Sequence, residues 1–141
     1  MPYPEVLIRP MRDELMRFGV EELMTAGDVR ESFLLPGTNL VVVNSVCGCA
    51  ARNARPAVGM ALGHENRPDR TTTVFAGQDL EAVAEARHHF RGYPPSSPSM
   101  ALLKDGEVVF MLPRDRIEGR SAEEVAKDLV EAFDRFCTAG E

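Results

Sequence analysis

The sequence predicts an α/β domain built on a mixed central sheet with helices on both faces, and three observations predict it. Residues 40–46, LVVVNSV, are a continuous β-branched and apolar run, the pattern of a strand buried on both faces. An alanine-rich stretch of helical spacing follows at once, as in a strand–helix–strand unit. Further on, two apolar runs are joined by KDGE, whose Asp105-Gly106 pair marks a tight hairpin, so the sheet ends antiparallel. At 141 residues, 44% of them hydrophobic, the chain suits one core, and no repeat, low-complexity tract or polar linker interrupts it. A single domain over 1–141 is expected.

Each element has a local reason. Residues 11–18 read as a helix that Gly19 ends, and 21–25 as a short strand before a capped turn of helix over 28–34. The strand at 40–46 follows the turn PGTN and runs into NSVCGCAA. Residues 49–62 carry closely spaced alanines with Val58 and Leu62, a small-residue helix able to approach a sheet closely, with Pro56 expected to kink it. The next strand is 71–76, and the next helix 80–91, with Leu80, Val83, Ala84 and Phe90 on one face, Asp79 as N-cap and Gly92 as C-cap. Strands at 100–103 and 108–112 form the hairpin. Ser121 with Glu124 makes a capping box that opens the last helix, striped by Val125, Leu129, Phe133 and Phe136. The order is βαβαββα behind an extra N-terminal helix.

Charge excludes two classes of partner. With 22 acidic against 16 basic residues and a net charge of −6, the surface repels phosphate backbones and anionic lipid. Nucleic acid and membrane partners are not expected. The N-terminus lacks the apolar core of a signal peptide, and no run approaches the ~20 apolar residues of a membrane span. A cytoplasmic location is expected. There thiols are kept reduced, so a close cysteine pair points to catalysis or metal rather than to a structural disulfide.

The pair is Cys47 and Cys49, one glycine apart, where a buried strand passes into a helix. Unpaired N–H groups and the positive end of the helix dipole stabilise a thiolate at such a place, so Cys47 is expected to have a depressed pKa. Cys47 at the start of the turn is the attacking thiol and Cys49, turned inward, the resolving one, with Gly48 letting the backbone bend. A disulfide across one residue is a tight ring, a poor staple and a good exchange partner. The bland alternative is two buried cysteines packed as small hydrophobes. Downstream, SSPSMALLKDGE puts Pro98 just before the hairpin, and thioredoxins, whose redox pair is spaced C-x-x-C at such a turn, carry a proline at that offset.

These motifs together carry a resemblance. VVVNSVCGCAA with ARPA (54–57), TVFAGQD (73–79), PSSPSMALLK (95–104) and IEGR (117–120) closely resemble the bacilliredoxin family, over about residues 10–137. The resemblance implies a thioredoxin-like three-layer α/β/α sandwich. It implies a thiol-disulfide oxidoreductase that removes bacillithiol from S-bacillithiolated client proteins, with no cofactor beyond bacillithiol as thiol substrate. Carried over by position, Cys47 attacks the mixed disulfide, Cys49 or an outside thiol regenerates it, and Gly48, Ser97 and a cis Pro98 meet the substrate. The first cysteine of CGC matches the first of thioredoxin CGPC, while Ala50 stands where the second would be, which argues against a general thioredoxin reductant.

Other residues offer alternatives. Cys137 lies on an apolar helix stripe and reads as core, with resolving chemistry the rival role. His64, His88 and His89 could join the C-x-C in a thiolate metal-binding module, although their spacing matches no regular zinc site and no metal is assigned. Arg52 and Arg55 follow the cysteines at helical spacing, either to meet the carboxylates of an anionic low-molecular-weight thiol or as a solvated face. Asn44 and Ser45 are placed to orient the loop. Disulfide isomerisation or oxidation on the same fold is the remaining alternative.

Overall fold

The computed structural model describes residues 2–137. In chain order the elements are α1 (Glu5–Met16), β1 (Glu21–Glu22), α2 (Ala26–Phe33), β2 (Thr38–Asn44), a π-turn (Ala50–Ala54), α3 (Arg55–Ala61), β3 (Arg70–Phe75), α4 (Leu80–His88), β4 (Ser99–Lys104), β5 (Glu107–Leu112), a 3-10 turn (Arg114–Arg116) and α5 (Ala122–Phe136). The short strand read over 21–25 and the helix read over 28–34 are present as β1 and α2, ahead of the βαβαββα run. Among the described residues no helix is long and apolar enough to cross a membrane.

The five strands lie in the order β1-β3-β2-β4-β5. β3 runs parallel to β1 and β2, whereas β4 is antiparallel to β2 and to β5, which makes the sheet mixed. Alternation along β2 explains why every one of its residues is buried. Leu40 and Val42 point into a layer with Ala57, Val58, Leu129 and Phe133 of α3 and α5, and Val41 and Val43 into a layer with Val29, Phe33, Val83 and Ala86 of α2 and α4. Met100 and Leu102 against Ala101 and Leu103 repeat the division on β4. The result is helices on both faces of one sheet, a three-layer sandwich.

Local signals hold where they are strongest. Asp105 and Gly106 both take left-handed backbone, φ 52° and 84°, as a two-residue hairpin turn requires. The Ser121 hydroxyl accepts from Glu124 N–H while the Glu124 carboxylate accepts from Ser121 N–H, the reciprocal capping box. Thr25 as N-cap and Asp28 make the same box at the start of α2, which sets the helix to begin at Ala26.

The structure corrects five readings. α1 starts at Glu5 and contains Pro10, because its buried face, Ile8, Arg12 and Leu15, needs the extra turns. Asp79 stands at the N-cap of α4, but its side chain makes no capping bond: the carboxylate is taken by Arg12, Nη1 to Oδ2 at 2.8 Å and Nη2 to Oδ1 at 3.0 Å. The buried face of α4 is Ala82, Val83 and Ala86, continued by Phe90, whereas Leu80 is 59% exposed. The helix ends at His88, and Gly92 takes its left-handed φ of 86° in the turn beyond. Pro56 does not kink a continuous helix either, since it sits in the first turn of α3, where its missing N–H leaves nothing unsatisfied.

Candidate active site

The site forms at the C-terminal end of β2, where the central strand stops at Asn44 and the chain turns into helical backbone at Gly48. Topology gathers the other parts at this end. β4 pairs Ser99 with Val43, so Ser97 and Pro98 continue alongside the residues that leave β2, and the Ser97–Pro98 peptide is cis. The hairpin then returns the chain, Leu112 opposite Met100, which brings Arg114 to the cysteine end.

Cys47 is half-buried and Cys49 buried, both as free thiols, with their sulfurs 2.8 Å apart. That separation is a close contact between two free thiols, beyond the ~2.05 Å of an S–S bond. Burial alone would push the Cys47 thiol up, but donors outweigh it: the Cys49 thiol, the Ser45 hydroxyl and the N–H groups of Ala50 and Cys49 all bond the sulfur and bring its pKa down. Those backbone donors lie in the first turn of the helical segment, where Ala50 N–H also meets the Cys47 carbonyl at 3.1 Å. Cys49 moves the other way, raised by burial, by donating to Cys47 and by the nearby negative sulfur, with Arg114 in partial opposition. One thiol is set up as anion and the other as acid.

The loop is held from behind. Ser45 Oγ accepts from Cys47 N–H at 3.1 Å, and Asn44 Oδ1 accepts from Ser45 N–H at 2.9 Å. Arg55 Nη1 reaches Asn44 Oδ1 at 2.9 Å and the Ser45 carbonyl at 3.0 Å, while its Nε reaches Glu14 at 2.8 Å. Asn53, in the π-turn, donates to the carbonyls of Ile117 and Arg120, which is what the IEGR segment contributes. On the other wall Arg114 Nη1 donates to the Ser97 carbonyl at 3.2 Å and its N–H to Ser96 Oγ at 3.1 Å. Arg114 is held firmly protonated by Glu118 and by the two sulfurs.

One sequence reading changes here, and Gly48 gains a second reason. Gly48 does not use left-handed backbone; the space a side chain would take is filled by the Arg52 guanidinium, whose Nη2 lies 2.9 Å from the position of a Cβ. Arg52 and Arg55 do not share a face: Arg52 is exposed above the turn, and Arg55 is buried beneath it. Residues three apart share a face of an α-helix, but the π-turn lies between them and breaks that phase.

The remaining candidates lie elsewhere. Cys137 closes α5 and packs in the core beside Thr38, the first residue of β2, so it sits at the opposite end of the strand from Cys47. Burial pushes its thiol up. His64 bonds Asp134, and His89 bonds Glu85 and lies edge-on to Phe33. Both follow helices that run away from the cysteine end, and His88 is the last residue of the second. Among the described residues no three or more His, Cys, Asp or Glu side chains stand together in a way that could hold a metal. Sequence reasoning passed over Glu14, Asn53 and Arg114, none of which carries a local signal, since each meets its partner only through the fold.

Comparison with known proteins places this geometry. A disulphide isomerase family model matches residues 3–137. A bacilliredoxin of Salinibacter ruber is 53% identical, aligning 97% of this chain with 82% of that protein. Another, of Bacillus licheniformis, is 55% identical over 96% of this chain and 95% of its own. Among solved structures, Fasciola hepatica thioredoxin superposes with a TM-score of 0.58 at 20% identity, covering 83% of this chain and 99% of that one. Oxidised Plasmodium falciparum thioredoxin gives 0.55 at 13% identity, covering 84% and 99%. The fold is that of thioredoxin.

Proposed function

This chain belongs to the bacilliredoxin family, matched by the disulphide isomerase model, and from that premise we propose that it removes bacillithiol from S-bacillithiolated proteins. It is a thiol-disulfide oxidoreductase, and the observation that carries the finer reading is the division of labour at CGC: a thiol held low by four donors, 2.8 Å from one held high.

The reaction runs in two exchanges. The Cys47 thiolate attacks the bacillithiol sulfur of the mixed disulfide; the client sulfur leaves as thiolate and takes a proton from water. A disulfide between Cys47 and bacillithiol replaces the one between client and bacillithiol, with no net oxidation. Cys49, deprotonated once the negative charge on Cys47 is gone, then attacks the Cys47 sulfur and expels bacillithiol, leaving a Cys47–Cys49 disulfide. Alternatively a second low-molecular-weight thiol attacks the bacillithiol sulfur of the adduct, releasing the Cys47 thiolate and forming a disulfide between the two small thiols. In either case two electrons from external thiols return the pair to the reduced state. A lowered pKa raises the thiolate fraction available for the first attack, and a high pKa on Cys49 keeps it silent until the adduct forms.

Gly48, Ser97 and Pro98 form the surface that the mixed disulfide meets. Bacillithiol enters as substrate, not as a resident cofactor, and the partners are client proteins and the free thiol, met in the cytoplasm. The test is intact-mass spectrometry of wild type and Cys49→Ala after mixing with a bacillithiolated client. The expected result is a bacillithiol adduct trapped on Cys47 in the variant, with the client freed. A client that keeps its adduct while both thiols remain titratable would overturn the reading.

A further inference from the structure

Beneath the cysteine turn lies a cation that the exchange reactions do not use. Arg55 is only 3% exposed. A buried guanidinium is destabilising unless its N–H groups are met, so the partners that meet it report what it is for. One is Glu14 on α1, at 2.8 Å from Nε. The other two, Asn44 Oδ1 and the Ser45 carbonyl, belong to the last residue of β2 and the first of the turn, both reached from Nη1. Asn44 is fixed a second time, its Nδ2 donating to the Met11 carbonyl at 3.2 Å. From Ser45 the chain of bonds continues through Ser45 Oγ to the Cys47 N–H and sulfur. An arginine suits the place because its planar fork donates in two fixed directions at once, here toward α1 and toward the turn.

We propose that Arg55 is a positioning residue for the attacking thiol: through Asn44 and the Ser45 carbonyl it locks the Ser45 hydroxyl onto Cys47, and Glu14 on α1 holds the guanidinium in register. Arg55 also opens α3, so the same side chain ties the helix that follows the cysteines to the strand that precedes them. The turn is thus closed from below. A core ion pair alone would leave Cys47 chemistry indifferent to Arg55, and this is where the two roles part.

The experiment follows the alkylation rate of Cys47 by iodoacetamide across pH, by peptide mass mapping, in wild type, Arg55→Met, Ser45→Ala and the double variant, with a thermal melt of each. A neutral alkylating probe makes the result independent of which thiol the protein carries. The expected result is a roughly tenfold slower reaction near neutral pH in Arg55→Met, with the midpoint of its pH profile moved upward by about one unit. Ser45→Ala should shift in the same direction, and the double variant should lose no more than the worse single one, because both act along one path. A cooperatively melting Arg55→Met with the wild-type profile would overturn the proposal, as would losses that simply multiply in the double variant. If Arg55→Met does not melt cooperatively, Arg55→Lys, which keeps the charge without the fork, is read by the same criteria.

Discussion

Arg12 grips Asp79 with both ends of its guanidinium fork, at 2.8 and 3.0 Å, across 67 residues of sequence. Its Nε takes Glu5 at 2.8 Å and its face lies over the Phe75 ring. Arg12 is 3% exposed and the Asp79 side chain 9%, so the pair is a buried clasp between α1 and the start of α4. Removing one half leaves the other as an uncompensated buried charge. Arg12→Met should therefore lower stability by about 3 kcal/mol, read as a fall in thermal midpoint on the order of 10 °C. A variant within half a kcal/mol of wild type would show the clasp to be passive.

Thiol reactivity should split with pH. A lowered folded-state pKa populates the Cys47 thiolate at lower pH, so its alkylation rises and levels off before that of an ordinary cysteine. Cys49 is raised, so its reaction begins only on the alkaline side. Mass mapping of protein treated briefly at neutral pH should find the label on Cys47 first; equal labelling of the two would contradict the assignment of anion and acid.

Cys137 should be dispensable for exchange. β2 is seven residues long, so a thiol beside Thr38 lies on the order of 20 Å from one beyond Asn44. Cys137→Ala should turn over a mixed disulfide at the wild-type rate while losing about 1 kcal/mol of stability from the packing it leaves. A drop in turnover without a change in thermal midpoint would return Cys137 to the chemistry.

What was legible in the sequence was what nearby residues decide. The run at β2, the Asp105-Gly106 turn and the Ser121 box depend on a few residues' own conformations, and the structure keeps all three. The cysteine turn was legible for the same reason, being a strand end joined to a helix start. What was not legible depends on partners that fold in from afar. Asp79 has the chemistry of an N-cap, and only Arg12 on another helix diverts it. Arg55 looks like half of a solvated stripe until Glu14, 41 residues earlier, arrives beside it. Arg114 means nothing at its own position, because the hairpin alone decides that it ends beside the cysteines.

The π-turn at Ala50–Ala54 is a helix with one residue more than its turn needs. Without that residue a plain α-helix would carry Arg55 round to join Arg52, and both charges would face water. With it, the same short stretch sends one charge over Gly48 and one beneath Ser45. A single surplus residue thus turns a one-sided stripe into a bracket, and the CGC turn is enclosed between two cations that lie only three positions apart in the chain.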